Sequence, residues 1–122
     1  MINNQQINEQ LIEAKDLRIG NWLYGKVSDT YYKVEPTDIL RIFEYNKNIE
    51  PIPLTKDILE KCGFKKDLDM FYYNKPLAIL LHDNGVTVTF SSICLPCEYL
   101  HQLQNLYYAL TQTELEINLN EQ

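Results

Sequence analysis

Hydrophobic positions along this chain come in short runs broken by turn residues, and the period of each run assigns it to a strand or a helix. Trp22-Leu23-Tyr24-Gly25-Lys26-Val27 reads as a strand, Ser28-Asp29 as a turn, and Thr30 to Glu35, rich in Tyr and Val, as a second strand. Pro36-Thr37-Asp38 interrupts the pattern, and Ile39 to Tyr45 continues as a strand or a short helix, its period being ambiguous. Asn46-Lys47-Asn48 is a turn, and Pro51 and Pro53 hold the next stretch extended. Met70 to Tyr73 is a short aromatic strand. Leu77 to Leu81 is an unbroken apolar run, which predicts a central strand covered on both faces. Val86 to Phe90 alternates strictly, with Val86, Val88 and Phe90 toward the core. His82-Asp83-Asn84-Gly85 joins these two strands, and its Asn-Gly pair is a strong hairpin signal because both residues accept positive φ.

Two segments carry helical signals. Thr55 can cap the first turn of a helix over residues 55–62, and Asp57 suits its positive end. Leu54 and Leu59 have the spacing of a hydrophobic staple, and Gly63 followed by Phe64 is a helix stop. Tyr99 to Thr111 repeats Tyr99, Leu103, Leu106 and Leu110 at spacings of four, three and four, with Leu100 and Tyr107 widening the stripe. His101, Asn105 and Tyr108 then fall together on the opposite side, either as a wet face or as a partner-contact face. The Asn/Gln-rich residues 1–13, with Ile7, Leu11 and Ile12, read as a short docked or frayed helix.

These elements predict an α+β domain over residues 16–117, with a polar segment at 1–15 and a tail at 118–122. A curved, mainly antiparallel sheet of about five strands would pack against the C-terminal amphipathic helix, and the first two strands would belong to an SH3-like part. The 122 residues are enough to bury a core without a metal or disulfide staple. The longest apolar run is far too short to cross a bilayer, and Met1-Ile2 leads straight into Asn3-Asn4-Gln5-Gln6, so no membrane contact or secretory leader is expected. Three cysteines suit a reducing compartment, and the expected location is the cytoplasm.

Charge narrows the functions. The net charge is −6, and all 11 Lys and Arg lie within residues 1–75, leaving residues 76–122 with five acids and no cation. Phosphate binding rests on cations, so the C-terminal part is a poor grip for nucleic acid. The alternative is an aromatic and basic strand pair, in which Trp22 and Tyr24 stack on bases with Arg18, Lys26 and Lys33 beside them.

Chemistry-bearing motifs are few. Cys94-Leu95-Pro96-Cys97 has the spacing of a thiol–disulfide pair, and it follows a strand and precedes a helix, where backbone N–H groups lower a thiolate's pKa. Only 25 residues follow it, too few for a thioredoxin-like domain to continue. Cys94, Cys97 and His101 also have a C-x2-C-x3-H spacing that Cys62 would complete as a zinc set. No Gly-rich phosphate loop, G-x-S-x-G, H-E-x-x-H or EF-hand loop is present, and His82-Asp83 reads as turn polarity. The expectation is therefore a chain with no enzymatic activity and no cofactor.

Leu17-Arg18-Ile19-Gly20-Asn21-Trp22-Leu23 and Tyr99-Leu100-His101-Gln102-Leu103-Gln104-Asn105-Leu106-Tyr107-Tyr108-Ala109-Leu110-Thr111 resemble a family of small uncharacterised proteins. That family is encoded by bacteriophages, prophages and other mobile elements of gut bacteria. The helix over residues 55–62 fits its layout as well, so the resemblance spans residues 16–117. The chain departs from it at Gln112, where the family places Gly, and in carrying Cys94 and Cys97. The resemblance implies a non-enzymatic accessory protein of the bacterial cytoplasm acting through contacts with a host or phage protein, while the broad apolar stripe of the C-terminal helix can serve either a monomer's core or the seam of a homo-oligomer. It also implies a partner surface at His101, Gln102, Gln104, Asn105 and Tyr108.

Overall fold

The computed structural model describes residues 16–38, 49–67, 71–83 and 85–119. The readings of residues 1–13, 39–45 and 46–48 lie outside these. The chain forms two compact units, Met1–Ile52 and Pro53–Gln122.

The first unit is built on an antiparallel sheet of β1 (Trp22–Gly25), β2 (Thr30–Lys33) and β3 (Ile49–Glu50), in the order β2-β1-β3. The chain enters β1 through a turn organised by Asn21, which is fully buried. Its Oδ1 accepts the Arg18 N–H at 2.6 Å, and its carbonyl accepts the Val34 N–H at 2.8 Å. Gly20 N–H returns to the Val34 carbonyl at 2.8 Å, so the Leu17–Asn21 motif ties the start of β1 to the end of β2. Strand alternation then sends Leu23 and Tyr32 to one face, where they pack with Val34, Leu17 and Ile49.

The second unit opens with α1 (Lys56–Lys61). Thr55 Oγ1 accepts the Ile58 N–H at 3.2 Å, as its capping position requires. Gly63 takes φ 83°, and Phe64 N–H reaches back to the Leu59 carbonyl at 3.0 Å. A five-stranded antiparallel meander follows: β4 (Lys65–Asp67), β5 (Phe71–Asn74), β6 (Leu77–His82), β7 (Gly85–Phe90) and β8 (Ile93–Pro96), each paired with the next. The α+β class and the five-stranded antiparallel sheet are as expected. Two strands the pattern does not announce, β4 and β8, form its edges. The residues 22–35 strands belong to a sheet of their own, and neither sheet is closed, so no SH3-like barrel forms among the described residues.

The meander's register creates two unlike faces. Tyr72, Ile79 and Val88 stand opposite one another on successive strands, and with Leu77 they are almost completely buried. The other face carries Phe71, Leu80, Thr87 and Pro96 in one row and Tyr73, Ala78, Thr89 and Cys94 in the next, all half-buried or exposed. The strand β6 is therefore central but sealed on one face only, which corrects the doubly covered reading. On its other face Ala78 and Leu80 are apolar without being enclosed. The β6–β7 pairing closes on His82 and Gly85.

Last comes α2 (Leu100–Thr111). Gln102 Oε1 accepts the N–H groups of Glu98 and Tyr99, at 3.0 and 3.1 Å, tying down its first turn. Leu100, His101, Leu103 and Gln104 are buried, whereas Leu106, Tyr107 and Leu110 are half-buried. Burial is graded along the axis as well as around it, and the expected stripe through Leu110 holds only in its first two turns. After the helix, Leu115 and Leu119 are buried and Asn118 N–H bonds the Lys61 carbonyl at 3.0 Å.

The helix ends on Gln112 in the left-handed conformation, φ 62°, with its N–H on the Tyr108 carbonyl at 2.7 Å. A side chain is strained there and Gly is not. Replacing Gln112→Gly should raise stability by about 1 kcal/mol, and thermal unfolding should move up by about 3 °C.

Candidate functional site

The five candidates on α2 do not form one open surface. His101, Asn105 and Tyr108 do share an angular sector of the helix. Yet His101 is buried, Asn105 half-buried and Tyr108 exposed, because the helix emerges from cover along its length. The imidazole of His101 stacks on Tyr99 at 6.1 Å with 15° between planes, and its Nδ1 is closed off from solvent. Gln104 is 2% exposed. Gln102 faces solvent, but its side-chain oxygen is engaged at the helix start. Placing His101 and Gln104 on a surface is thus corrected: both belong to the buried first turns. Burial raises the pKa of Tyr99, and the neighbouring Glu98 carboxylate adds to it.

Of the aromatic and basic residues of the first unit, Trp22, Tyr24, Tyr31 and Lys33 are brought together, on the face of β1 and β2 opposite Leu23. Trp22 lies across from Lys33 and Tyr24 across from Tyr31. Lys33 Nζ sits 5.9 Å from the centre of the Trp22 ring, and Tyr24 and Tyr31 meet edge-on at 5.8 Å. Trp22 is only 8% exposed, so its ring offers little area for stacking. Acids stand among them: Lys26 Nζ is 3.7 Å from Glu50 Oε2, and the Tyr24 hydroxyl donates to Asp29. That hydrogen bond is the main reason the Tyr24 phenol is pushed above its ordinary range. Arg18 sits half-buried in the turn before β1, outside the strand pair.

The cysteines are dispersed in environment. Cys62 is buried at the end of α1, Cys94 is exposed on β8, and Cys97 is buried just beyond that strand. Burial pushes the Cys62 thiol up to about 12. Burial also raises Cys97 to about 12, partly opposed by hydrogen bonding with the Tyr99 backbone and reinforced by the Glu98 carboxylate. Desolvation thus works against a thiolate at Cys97. Among the described residues no three His, Cys, Asp or Glu side chains gather to hold a metal, so Cys62, Cys94, Cys97 and His101 do not assemble a zinc set.

Sequence reasoning missed the open face of the five-stranded sheet. Phe71 and Tyr73 are over a third exposed, and their rings stack at 6.4 Å with 19° between planes. Leu80 lies across from Phe71 and Ala78 across from Tyr73, extending the apolar surface over β6. On the other side Lys65 and Asp67 face Tyr73 and Phe71 from β4. His82 Nε2 shares a 3.0 Å hydrogen bond with Thr87 Oγ1 on this same face. The available signal was Phe71-Tyr72-Tyr73 itself, since alternation turns the first and third rings together and away from the second. No helix among the described residues is long and apolar enough to cross a membrane. Compared with protein-family models, characterised proteins and solved structures, the chain matches none.

Two outcomes follow from these environments. The buried Cys62 and Cys97 keep their protons in the folded chain up to about pH 12, whereas unfolded thiols titrate near 9. Their stabilising contribution is complete below pH 9 and is lost as pH rises toward 12. A denaturant series across that range should show falling stability, and a Cys62→Ala/Cys97→Ala variant a shallower fall. On the first unit, titrating single-stranded oligonucleotides at physiological salt should leave Trp22 fluorescence flat. A quench that weakens steeply with salt would establish a phosphate-dependent site instead.

Proposed function

We propose that this chain is a non-enzymatic accessory protein of phage or mobile-element type that works by binding a host or phage protein in the bacterial cytoplasm. One observation supports this above others: the stacked, exposed Phe71–Tyr73 pair continues into Leu80 and Ala78 on an open sheet face. Contiguous apolar surface edged by charge is the usual make-up of a protein-contact patch, and aromatic rings carry a large share of the energy in such contacts. Lys65 and Asp67 on the neighbouring strand call for a partner that is apolar at its centre and mixed in charge at its rim. The C-terminal cation-free sequence fits poorly with nucleic acid and well with a protein partner. Tyr108, exposed on α2, is a second contact residue in this reading.

Affinity capture from host lysate, with and without phage products, tests it. The tagged chain should retain a defined protein, and Phe71→Ser/Tyr73→Ser should reduce that retention about ten-fold, equivalent to about 1.4 kcal/mol. Circular dichroism of the variant should be unchanged, because both side chains face outward. No retained protein, or retention indifferent to the double substitution, counts against the reading.

A further inference from the structure

The two edges of the five-stranded sheet are finished differently. The edge strand β4 reads Lys65-Lys66-Asp67, and such charges discourage another strand from pairing there. At the other edge, β8 reads Ile93-Cys94-Leu95-Pro96, uncharged and exposed at every position. Ile93 is 56% exposed and Leu95 39%. Both lie on the same side of the strand, since residues two apart share a face.

The register shows which main-chain groups this edge offers. Cys97 N–H bonds the Val86 carbonyl at 3.1 Å, so Cys97, Leu95 and Ile93 direct their N–H and C=O groups toward β7. Cys94 and Pro96 direct theirs away from the sheet. Pro96 has no N–H, which leaves the Cys94 N–H as the one outward donor of β8. An incoming strand must therefore be short and centred on Cys94.

We propose that β8 pairs antiparallel with β8 of a second copy of this chain, about a two-fold axis at Cys94. The two Cys94 residues then exchange both of their N–H···O=C bonds. Ile93 of each copy falls opposite Leu95 of the other, so the exposed aliphatic side chains cover one another. The occupant is a second copy because this strand is complementary to itself at each of these positions. The pairing also ends itself. Joining two sheets at β8 leaves β4, with its Lys-Lys-Asp charges, as both outer edges, which gives a closed dimer and no fibre.

Sedimentation equilibrium on the intact chain, from about 10 µM to about 1 mM, tests this. The mass should climb from 14.4 kDa toward twice that value. Leu95→Lys, at an exposed position, should weaken the dimer at least about ten-fold. Cys94→Pro removes only the outward donor and should do the same, whereas Lys66→Glu on the opposite edge should change nothing. Diamide gives a second readout. A hydrogen-bonded antiparallel pair holds its Cα atoms about 5.5 Å apart, within disulfide range. The two Cys94 thiols should join in one disulfide, their two electrons and two protons passing to diamide, and Cys94→Ser should abolish that cross-link. A chain that stays at monomer mass throughout overturns the proposal, even if a foreign extended peptide binds β8. A dimer that survives both Leu95→Lys and Cys94→Pro overturns it too, since its seam lies elsewhere. Self-pairing and capture of a different protein are separate readouts, so a monomer that still retains a host or phage protein leaves the proposed function standing.

Discussion

The row formed by Tyr72, Ile79 and Val88 is the constraint on which the second unit depends. These side chains stand opposite one another on three consecutive strands and are almost wholly removed from water, with Leu77 beside them. Burying them is worth roughly 2 kcal/mol apiece, a large fraction of a small unit's net stability. A slip of one residue anywhere in the meander would turn Tyr72 outward and bring Phe71 in. The same alternation that seals this row obliges Phe71, Tyr73, Ala78 and Leu80 to the other side. The open apolar face is thus the geometric consequence of the buried one, and any surface role for Phe71 and Tyr73 is inherited from the packing of Tyr72.

Local backbone chemistry explains which elements are legible in the residues. Helix α1 is announced by Thr55 and Gly63, because capping and left-handed termination depend on those residue types alone. The β6–β7 hairpin is announced by Asn84-Gly85 and by the alternation of Val86 to Phe90. The edge strands are silent for opposite reasons. Lys65-Lys66-Asp67 has no β-forming composition and is extended because β5 supplies the ladder. Ile93 to Pro96 is hidden because Ser91, rather than Gly, takes the positive φ of the turn before it, at 60°. Proline also argues against a strand until the register shows that Pro96 sits where no inward N–H is needed.

The candidate site was less legible than the fold. Angular position on a helix can be computed from spacing, and the grouping of His101, Asn105 and Tyr108 follows from it. How far along its axis a helix stays covered depends on partners distant in sequence, and that decides that His101 is sealed and Tyr108 is not. The environments of Cys94 and Cys97 are hidden from their spacing for a related reason. Consecutive odd and even positions of an extended segment face opposite ways, so Cys94 is exposed while Cys97 turns inward and loses its acidity to desolvation. In the first unit, Trp22 and Lys33 do come together as the spacing suggests, but Asp29 and Glu50 arrive beside Tyr24 and Lys26 from neighbouring segments.

Charge and backbone together define what kind of contact this surface favours. With −6 overall and Lys26 matched by Glu50 in the first unit, long-range attraction toward phosphate is weak. What the second unit exposes instead is short-range: stacked rings on one sheet face, and a strand edge whose main-chain groups face out only at Cys94 and Pro96. Such features act through fit and desolvation, which reward a partner of matching shape and register and are nearly insensitive to salt. Pro96 sharpens this further. By deleting one donor it denies the edge to long, generic strands, the ones that aggregate, while leaving Cys94 able to bond both ways. A strand edge guarded by proline at one residue and open at the next discriminates among partners, which charge alone, as on β4, does not accomplish.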